Sequence, residues 1–527
     1  MKKLFTIIAI SLLLCSPSYA AVDAGVAWEI RPGGNVNNGG GYDIVSDGGT
    51  DYSQQDAAQL SLTDLTTDGA GTGLGSATGG FTAEMVDNII QITSGTGFTP
   101  GWYEIDSYTS SNLVTIDRSA GASASVGVGK VGGGLDMPLS GHFQVHTGGN
   151  KFYIKTGTYT LTTNVSVSAD CTALAPCKVI GYKLTHGDNP VGDDRPILVA
   201  ADWITQWDNY WNVENIRVST TNTNGLTLDI DGHVSNCKSV NSSQTANRYA
   251  ILVDGLIHNS EGVSYFGIAL RTNMFVSNSY AHDSLTCIYA GLNGGLVYGN
   301  IAENCGTGIY TVQASAITAQ NTLFANTKGI DANSSFFNNL FSGNIFHSNT
   351  TGIVGMGDGY TGLVSGYNNY YNNGTDVSGI VKSPSSIALD PGFTDAVLIS
   401  GTVATTSGGV LTAGVAKDFS GIVDNSDYIW IISGTGVTAN EYHLITGHND
   451  GADTLTLDPD PGDSAAGDIS WQVTVGHDFS VGTNMKGASF PGLFQGGLST
   501  GYIDIGAIQR EEAGASGGGG GSYTFVQ

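Results

Sequence analysis

Through the middle of the chain, apolar and polar residues alternate in short runs such as MFVSNSYA and GGLVYGNIA. A period of two predicts strands, and the runs lack the caps and the 3.6-residue spacing of amphipathic helices. Asn and Gly cut the runs at a near-constant interval. Asn215, Asn236, Asn259, Asn278, Asn300, Asn321, Asn344 and Asn368 are separated by 21, 23, 19, 22, 21, 23 and 24 residues. A second column follows them, apolar and often preceded by glycine: Leu226, Ile251, Ile268, Ile288, Ile309, Ile330, Ile353 and Ile380. A repeat of roughly 22 residues cannot bury its own apolar face and must stack on its neighbours. Such a repeat holds about three short strands and three bends, and successive turns stack at about 4.8 Å. The predicted fold is an all-β parallel β-helix. Each asparagine then occupies one bend of every coil, where its amide bonds to the equivalents above and below and its backbone tolerates the left-handed conformation. The column is read as structure that holds bends and binds nothing.

The two ends of the chain carry a second duplication. IIQITSGTGFTPGWYEI, from Ile89 to Ile105, matches YIWIISGTGVTANEYHL, from Tyr428 to Leu444, and LVTID at Leu113 to Asp117 matches TLTLD at Thr454 to Asp458. Each copy reads as alternating strands about a tight SGTG turn. The copies are placed at 47–135 and 394–476. Their role is expected to be structural or protein-binding, with sugar binding through Trp102 and Trp430 as the alternative.

Removing the first copy joins WEIRPGGNVNNGGGYD to GGNKFYIKTGTYTLT, and removing the second joins ALDPGF to HDFSVGTNMKGASFPG and then YIDIGAIQ. At these segments the chain resembles secreted or surface right-handed parallel β-helix proteins of the pectate-lyase-like superfamily. The resemblance implies a right-handed coil, and the duplication adds two related small β modules inserted near its ends. It speaks to fold, because caps and coils do not assign chemistry. The expected organisation is a signal peptide at 1–20, the start of the β-helix at 21–46, module copy 1 at 47–135, coils at 136–393, module copy 2 at 394–476, the C-terminal closure at 477–511 and a Gly-rich tail at 512–527. GHFQVHTGG and the residues around PGLFQGGLSTGY are the candidates for covering the exposed ends of the coil. The tail reads as a flexible linker.

Export is expected from MKKLFTIIAISLLLCSPSYA: Lys2 and Lys3, an apolar run, then Ser18 and Ala20 where a signal peptidase reads. Leu14 before Cys15 argues against lipid attachment, so cleavage is placed after Ala20 and the mature chain is expected to be secreted, extracellular or at the cell surface. No later apolar run is long enough to span a membrane. Nineteen basic against 46 acidic residues give a net charge of −27, which argues against nucleic acid and anionic membranes as general partners. Cys171 and Cys177, in CTALAPC, are expected to pair. Cys237, Cys287 and Cys305 stand at different offsets from the asparagines and are read as small buried wall residues.

Residues at equal register in adjacent coils are neighbours, so offsets from the asparagines map the wall. Lys238 and Glu261, both two residues past theirs, are expected to pair. Tyr280, His282, Asp283 and Glu303 form the best acid–base cluster, with Arg271 as a carboxylate-neutralising candidate. The catalytic candidates are therefore Arg271, His282, Asp283 and Glu303. No run of paired aspartates suggests a hydrolase, although Asp229 and Asp231 lie close in sequence. Asp458, Asp460 and Asp463 in DPDPGD offer hard oxygens suited to calcium, the one cofactor considered, but DRSAG in the first copy lacks them. The inventory points first to a non-catalytic surface protein that binds a polysaccharide or other glycan surface along the helix wall. A polysaccharide lyase acting on a uronate polymer is the alternative, and a phage-like receptor-binding fibre is a further one.

Overall fold

The computed structural model describes residues 25–45, 48–137, 149–161, 165–167, 171–200, 206–220, 226–242, 248–291, 295–312, 316–332, 339–355, 364–391, 393–419, 422, 424, 428–438, 441–458 and 460–478. The leader with its expected cleavage after Ala20, nearly all of GHFQVHTGG, the closing segment beyond 478 and the tail lie outside the described residues. Elsewhere the chain is built of strands, with 3-10 turns at Ala83–Met85 and Gly192–Asp194. It divides into two compact units. The first holds Met1–Phe341, Phe346–Ser365 and Asn372–Lys382, and the second Ser342–Ile345, Gly366–Tyr371 and Ser383–Gln527.

The coils form a parallel β-solenoid with three walls. One coil contributes Ile268–Thr272 to the first wall, Phe275–Ser277 to the second and Tyr280–His282 to the third. Each strand pairs in parallel with its counterpart in the next coil, Thr286–Ala290, Leu296–Tyr298 and Ile301–Glu303. The alternation decides which side chains enter. On the first wall Leu228, Ile251, Leu270, Ile288, Ile309, Ile330 and Ile353 stack inward, all fully buried, each worth about 1.5–3 kcal/mol of transfer free energy. This corrects three members of the sequence column. Leu228 replaces Leu226, Leu270 replaces Ile268, and Val377 pairs with Ile353 where Ile380 was expected. The Leu226 and Ile268 substitutions are shifts of two residues, which stay on one face of a strand and so leave the alternation intact.

The asparagine column is two columns. Asn215, Asn236, Asn259 and Asn278 have left-handed backbones, with φ of 60°, 50°, 46° and 48°. In the later coils that place falls one residue earlier, on Gly299, Gln320, Gly343 and Tyr367, and Asn300, Asn321, Asn344 and Asn368 point inward, fully buried. The inward position of the earlier coils is held by Cys237, Ser260 and Ser279. The chain of bonds is continuous across the change. Cys237 N donates to Ser260 Oγ (3.2 Å), Ser260 N to Ser279 Oγ (3.2 Å), Ser279 N to Asn300 Oδ1 (2.9 Å) and Asn300 N to Asn321 Oδ1 (2.9 Å). A matching ladder occupies the bend after the third wall. There Asp283, Asn304, Ala325, Ser348 and Asn372 take the left-handed conformation, and Asn326, Asn349 and Asn373 bond in series at 3.0 and 3.1 Å.

The first coil begins at Val26–Ile30, which pairs in parallel with Lys151–Lys155, and the first module lies in the chain between them. Trp28, Phe152 and Trp211 stack down the interior at 6.3 and 5.8 Å. In that module six strands close into a barrel in the order Leu60–Thr67, Gly73–Ser76, Leu113–Ile116, Gly101–Ser110, Ile89–Thr96, Ser125–Val131. The second module runs Thr394–Gly401, Ser470–Asp478, Tyr428–Ser433, Glu441–Asn449, Thr454–Asp458, Val410–Ala413, Ala404–Ser407. This is the same cycle with its first strand divided in two. One atomic detail is shared. Thr67 Oγ1 donates to Gly121 O and accepts from Ala124 N, and Thr406 Oγ1 donates to Gly462 O and accepts from Ser464 N. The loop after SGTG is one residue longer in the second copy. Ile90 faces Tyr103 whereas Ile429 faces His443, so Ile105 corresponds to Ile445 and not to Leu444.

Cys171 and Cys177 form the expected disulfide. Cys287 and Cys305 form a second one, against the expectation that they stand apart. Offsets from the asparagines hid the pairing because Cys287 lies in the first-wall strand Thr286–Ala290 while Cys305 sits inward at the bend that closes the same coil. Cys237 is free and buried.

Candidate functional site

Lys238, Glu261 and Tyr280 share one register on the third wall, and His282 lies directly beside Glu303. The expected Lys238–Glu261 pair is present at 2.8 Å. Glu261 Oε1 also lies 3.1 Å from His282 Nε2, and His282 Nδ1 lies 2.7 Å from Asp283 Oδ2. Asp283 occupies the left-handed bend and accepts from Asn304 Nδ2 at 2.6 Å. Tyr280 stacks on the imidazole at 4.3 Å and donates to Glu303 Oε2 at 2.6 Å.

Burial alone would lower the basicity of His282, which is 7% exposed. The hydrogen bonds to Asp283 and Glu261 outweigh it and push the imidazole up to about 9. Burial likewise acts to raise Glu261, but Lys238 and His282 hold it well below the usual carboxylate range. At neutral pH the wall therefore carries alternating charges, Lys238, Glu261, His282 and Asp283, with an imidazolium that donates through both nitrogens. Such a ring can give up a proton but has no lone pair with which to take one.

Arg271 belongs to the first wall. Its guanidinium lies over Tyr249 at 5.0 Å and Tyr289 at 5.1 Å, and Nη1 donates to Tyr249 Oη at 2.6 Å. Tyr289 pairs in register with Arg271 and with Tyr310, whose ring is 5.4 Å away. The structure thus brings His282, Asp283 and Glu303 to one wall and Arg271 to another.

One titratable cluster escaped the sequence. Glu29, 1% exposed, takes hydrogen bonds from Arg31 Nη1 (3.1 Å), His186 Nε2 (2.9 Å) and the Tyr182 hydroxyl. Arg31 Nε reaches Asp56 Oδ1 at 2.7 Å, and His186 stacks on Tyr153 at 3.7 Å. Burial, then the Glu29 charge, drives the Tyr182 hydroxyl far above its ordinary value. These residues come from the start of the chain, the first module, the strands Lys151–Lys155 and Cys177–Tyr182, and the turn after the latter. No repeat offset links them, so only the parallel pairing of Val26–Ile30 with Lys151–Lys155 reveals the site.

Two of the acidic candidates take part in local turns. Asp460 Oδ1 accepts from Gly462 N at 2.9 Å and Asp463 Oδ1 from Gly408 N at 2.8 Å, both in turns. Among the described residues no group of three His, Cys, Asp or Glu side chains could hold a metal ion. Trp102, expected to be exposed for sugar binding, is buried and meets Trp28 edge-on at 6.3 Å. No helix among the described residues is long and apolar enough to cross a membrane.

The fold defines the chain as a parallel β-solenoid protein bearing two copies of a β module. No protein-family model matches it, and no curated protein does. Among solved structures it is similar to XylC in complex with xylose, with a TM-score of 0.27 and 9% identity over 69% of this chain and 72% of that one. It is also similar to two tailspikes. That of Pseudomonas phage phi297, gp61, gives 0.18 and 12% over 86% and 88% of the two chains. That of Pseudomonas phage LKA1, gp49, gives 0.15 and 12% over 79% and 82%. Likeness at this level carries no functional argument.

Proposed function

We propose that this protein works outside the cytoplasm, secreted or at the cell surface, and binds glycans along the solenoid wall. The observation that supports it is the first-wall column of Arg271, Tyr289 and Tyr310, a cation and phenol groups lined up at the coil spacing with Tyr249 closing one end. Aromatic and guanidinium groups at a fixed repeat suit a polymer whose units recur. Two disulfides suit an oxidising compartment, in keeping with the leader. A glycan array probed with the labelled mature chain tests the reading. Saturable binding that falls at least tenfold in Tyr289→Ala and in Arg271→Ala is expected. Binding that survives both changes, or none on any glycan, overturns it.

Lyase chemistry is the second reading, and one observation favours it. Buried Glu29 orients His186 through Nε2 while the imidazole side chain stays 24% exposed, the arrangement of a base held by a carboxylate. Uronate polysaccharides incubated with the protein, with and without calcium, would show unsaturated product if it holds. His186→Gln should then abolish turnover, and an absence of product on every polymer removes lyase action on those substrates.

A further inference from the structure

Because the two modules share one strand cycle, their positions can be matched through the strand pairings. In the first, the strand Leu60–Thr67 is irregular between Leu62 and Leu65. Asp64 bridges that irregularity, accepting from Ser76 Oγ (2.6 Å), Thr78 N (2.7 Å) and Thr78 Oγ1 (2.9 Å). In the second, the pairing of Ala404 with Ala413 matches that of Leu65 with Ser76. Val403, Ala413 and Val415 therefore stand where Asp64, Ser76 and Thr78 stand in the first copy. The side-chain bridge is gone, the strand breaks after Gly401, and Val403 and Val415 are 45% and 61% exposed.

A cleft of about 490 Å³ opens at this break, lined by the two valines, Trp471, Ser470, Gln472 and Lys417 among others. Gly401 belongs to its wall because a Cβ there would meet the indole of Trp471 at 2.9 Å. Among the described residues that line it, Lys417 is the one charged side chain. Its ammonium donates to Ser400 O at 2.7 Å, which leaves two of its three N–H groups for a ligand. A volume in the range of about 300–1,000 Å³, lined by both apolar and polar groups, suits a small molecule.

We propose that this cleft binds an acidic sugar, a pyranose ring bearing a carboxylate. The C–H face of the ring lies against Val403 and Val415, the carboxylate meets Lys417, and ring hydroxyls meet Gln472 and Ser470. In a chain of net charge −27 an anionic ligand needs a local cation, and Lys417 supplies it. The site belongs to the second module and does not depend on binding at the solenoid wall.

Titration of the full mature chain with glucuronate, N-acetylneuraminate and glucose, followed by calorimetry or ligand-observed NMR, tests the assignment. Saturable binding of at least one acid, at least tenfold tighter than glucose, is expected. The triple variant Val403→Asp, Ala413→Ser, Val415→Thr installs the polar bridge of the first copy, where that bridge already folds. It should abolish acid binding with the melting temperature kept. Lys417→Gln should remove the preference over glucose. Absence of saturable acid binding, equal binding of glucose, or binding that survives the triple variant overturns the proposal. So does a preference for the acid that survives Lys417→Gln, which would move the carboxylate to another cation.

Discussion

In the coils up to Asn278, the bend between the second and third walls is held by an asparagine whose own backbone is left-handed. In the coils from Asn300 onward it is held by an asparagine one residue later, which turns into the core. Asn236 illustrates the first kind: its Nδ2 donates outward to Asn215 Oδ1 at 2.6 Å, and its value lies in a conformation that few L-residues adopt cheaply. Asn300 illustrates the second. Its Oδ1 accepts from Ser279 N (2.9 Å), and its Nδ2 donates to Val276 O (3.1 Å) and Asn321 Oδ1 (3.0 Å). One residue type at one period therefore does two jobs, conformational in one half and hydrogen-bonding in the other.

The contrast is most exposed by Asn300→Ala. It leaves Ser279 N buried without an acceptor, at about 1–3 kcal/mol, and takes the amide donor from Val276 O and Asn321 Oδ1, at about 0.5–1.5 kcal/mol each, so a loss of roughly 3–5 kcal/mol is expected in chemical denaturation. Asn300→Ser should recover part of this, because Ser260 and Ser279 perform the same acceptor task through Oγ two coils and one coil earlier. A cost below about 1 kcal/mol for the alanine would show that the inward ladder is decoration.

The Cys287–Cys305 disulfide closes the first coil of the second kind, tying its first wall to the bend after its third wall, beside the junction between the two kinds. Cys305 is also the residue before the inward asparagines of the neighbouring bend begin, its N donating to Asn326 Oδ1 at 2.9 Å. Replacing both cysteines by alanine should cost about 3 kcal/mol, the usual worth of closing a loop of this size. The loss should concentrate at the junction, so amide exchange ought to quicken around Ser279–Asn304 before it does at Ile330 or Ile353. Uniform loss of protection would mean that the junction is no weaker than the coils it links.

These two features mark the limit of what periodicity discloses. Stacked strands, the inward first-wall column and the Lys238–Glu261 pair were legible because a constant offset survives any error that keeps residues on the same face. The one-residue slip was not, since Asn278 and Asn300 are 22 residues apart like any other pair, and only the strand register separates them. The second ladder has a signal of its own: Asn326, Asn349 and Asn373 each follow an inward asparagine, Asn321, Asn344 and Asn368, by five residues. Glu29 and His186 had none, because the inserted module breaks the count between them.

The third wall has an expected pH dependence of its own. Counting from the asparagines placed His282 and Glu303 a residue apart, whereas they are neighbours in register, and His282 is left to bond Glu261 and Asp283. Its basicity is raised from the ordinary 6.5 to about 9, so the stability it confers is complete below about 6.5 and is lost as pH rises through about 9. Glu261, held low, contributes above about 4.5 and loses its contribution on acidification. Thermal stability should therefore be greatest between these limits. A decline on the alkaline side on the order of 2–3 kcal/mol follows from a shift of this size, and His282→Gln should flatten it. An alkaline slope unchanged in that variant would assign the effect to other groups.

Asn259 gives the smallest and most discriminating effect. Its side chain is exposed and its φ is 46°, so replacement by glycine keeps the conformation and loses only a long amide contact of 3.5 Å to Asn236. Asn259→Gly should lie within about 0.5 kcal/mol of the parent, and Asn259→Ala should cost about 1–2 kcal/mol because alanine resists the left-handed region. At Asn300 the order reverses. Glycine there restores no hydrogen bond and adds backbone entropy to the unfolded chain, so it should cost at least as much as alanine. The crossing of the two orders, measured by denaturation of four single variants, distinguishes a bend held by its backbone from one held by its side chain. The same order at both positions would mean that the two kinds of coil close their bends in one way.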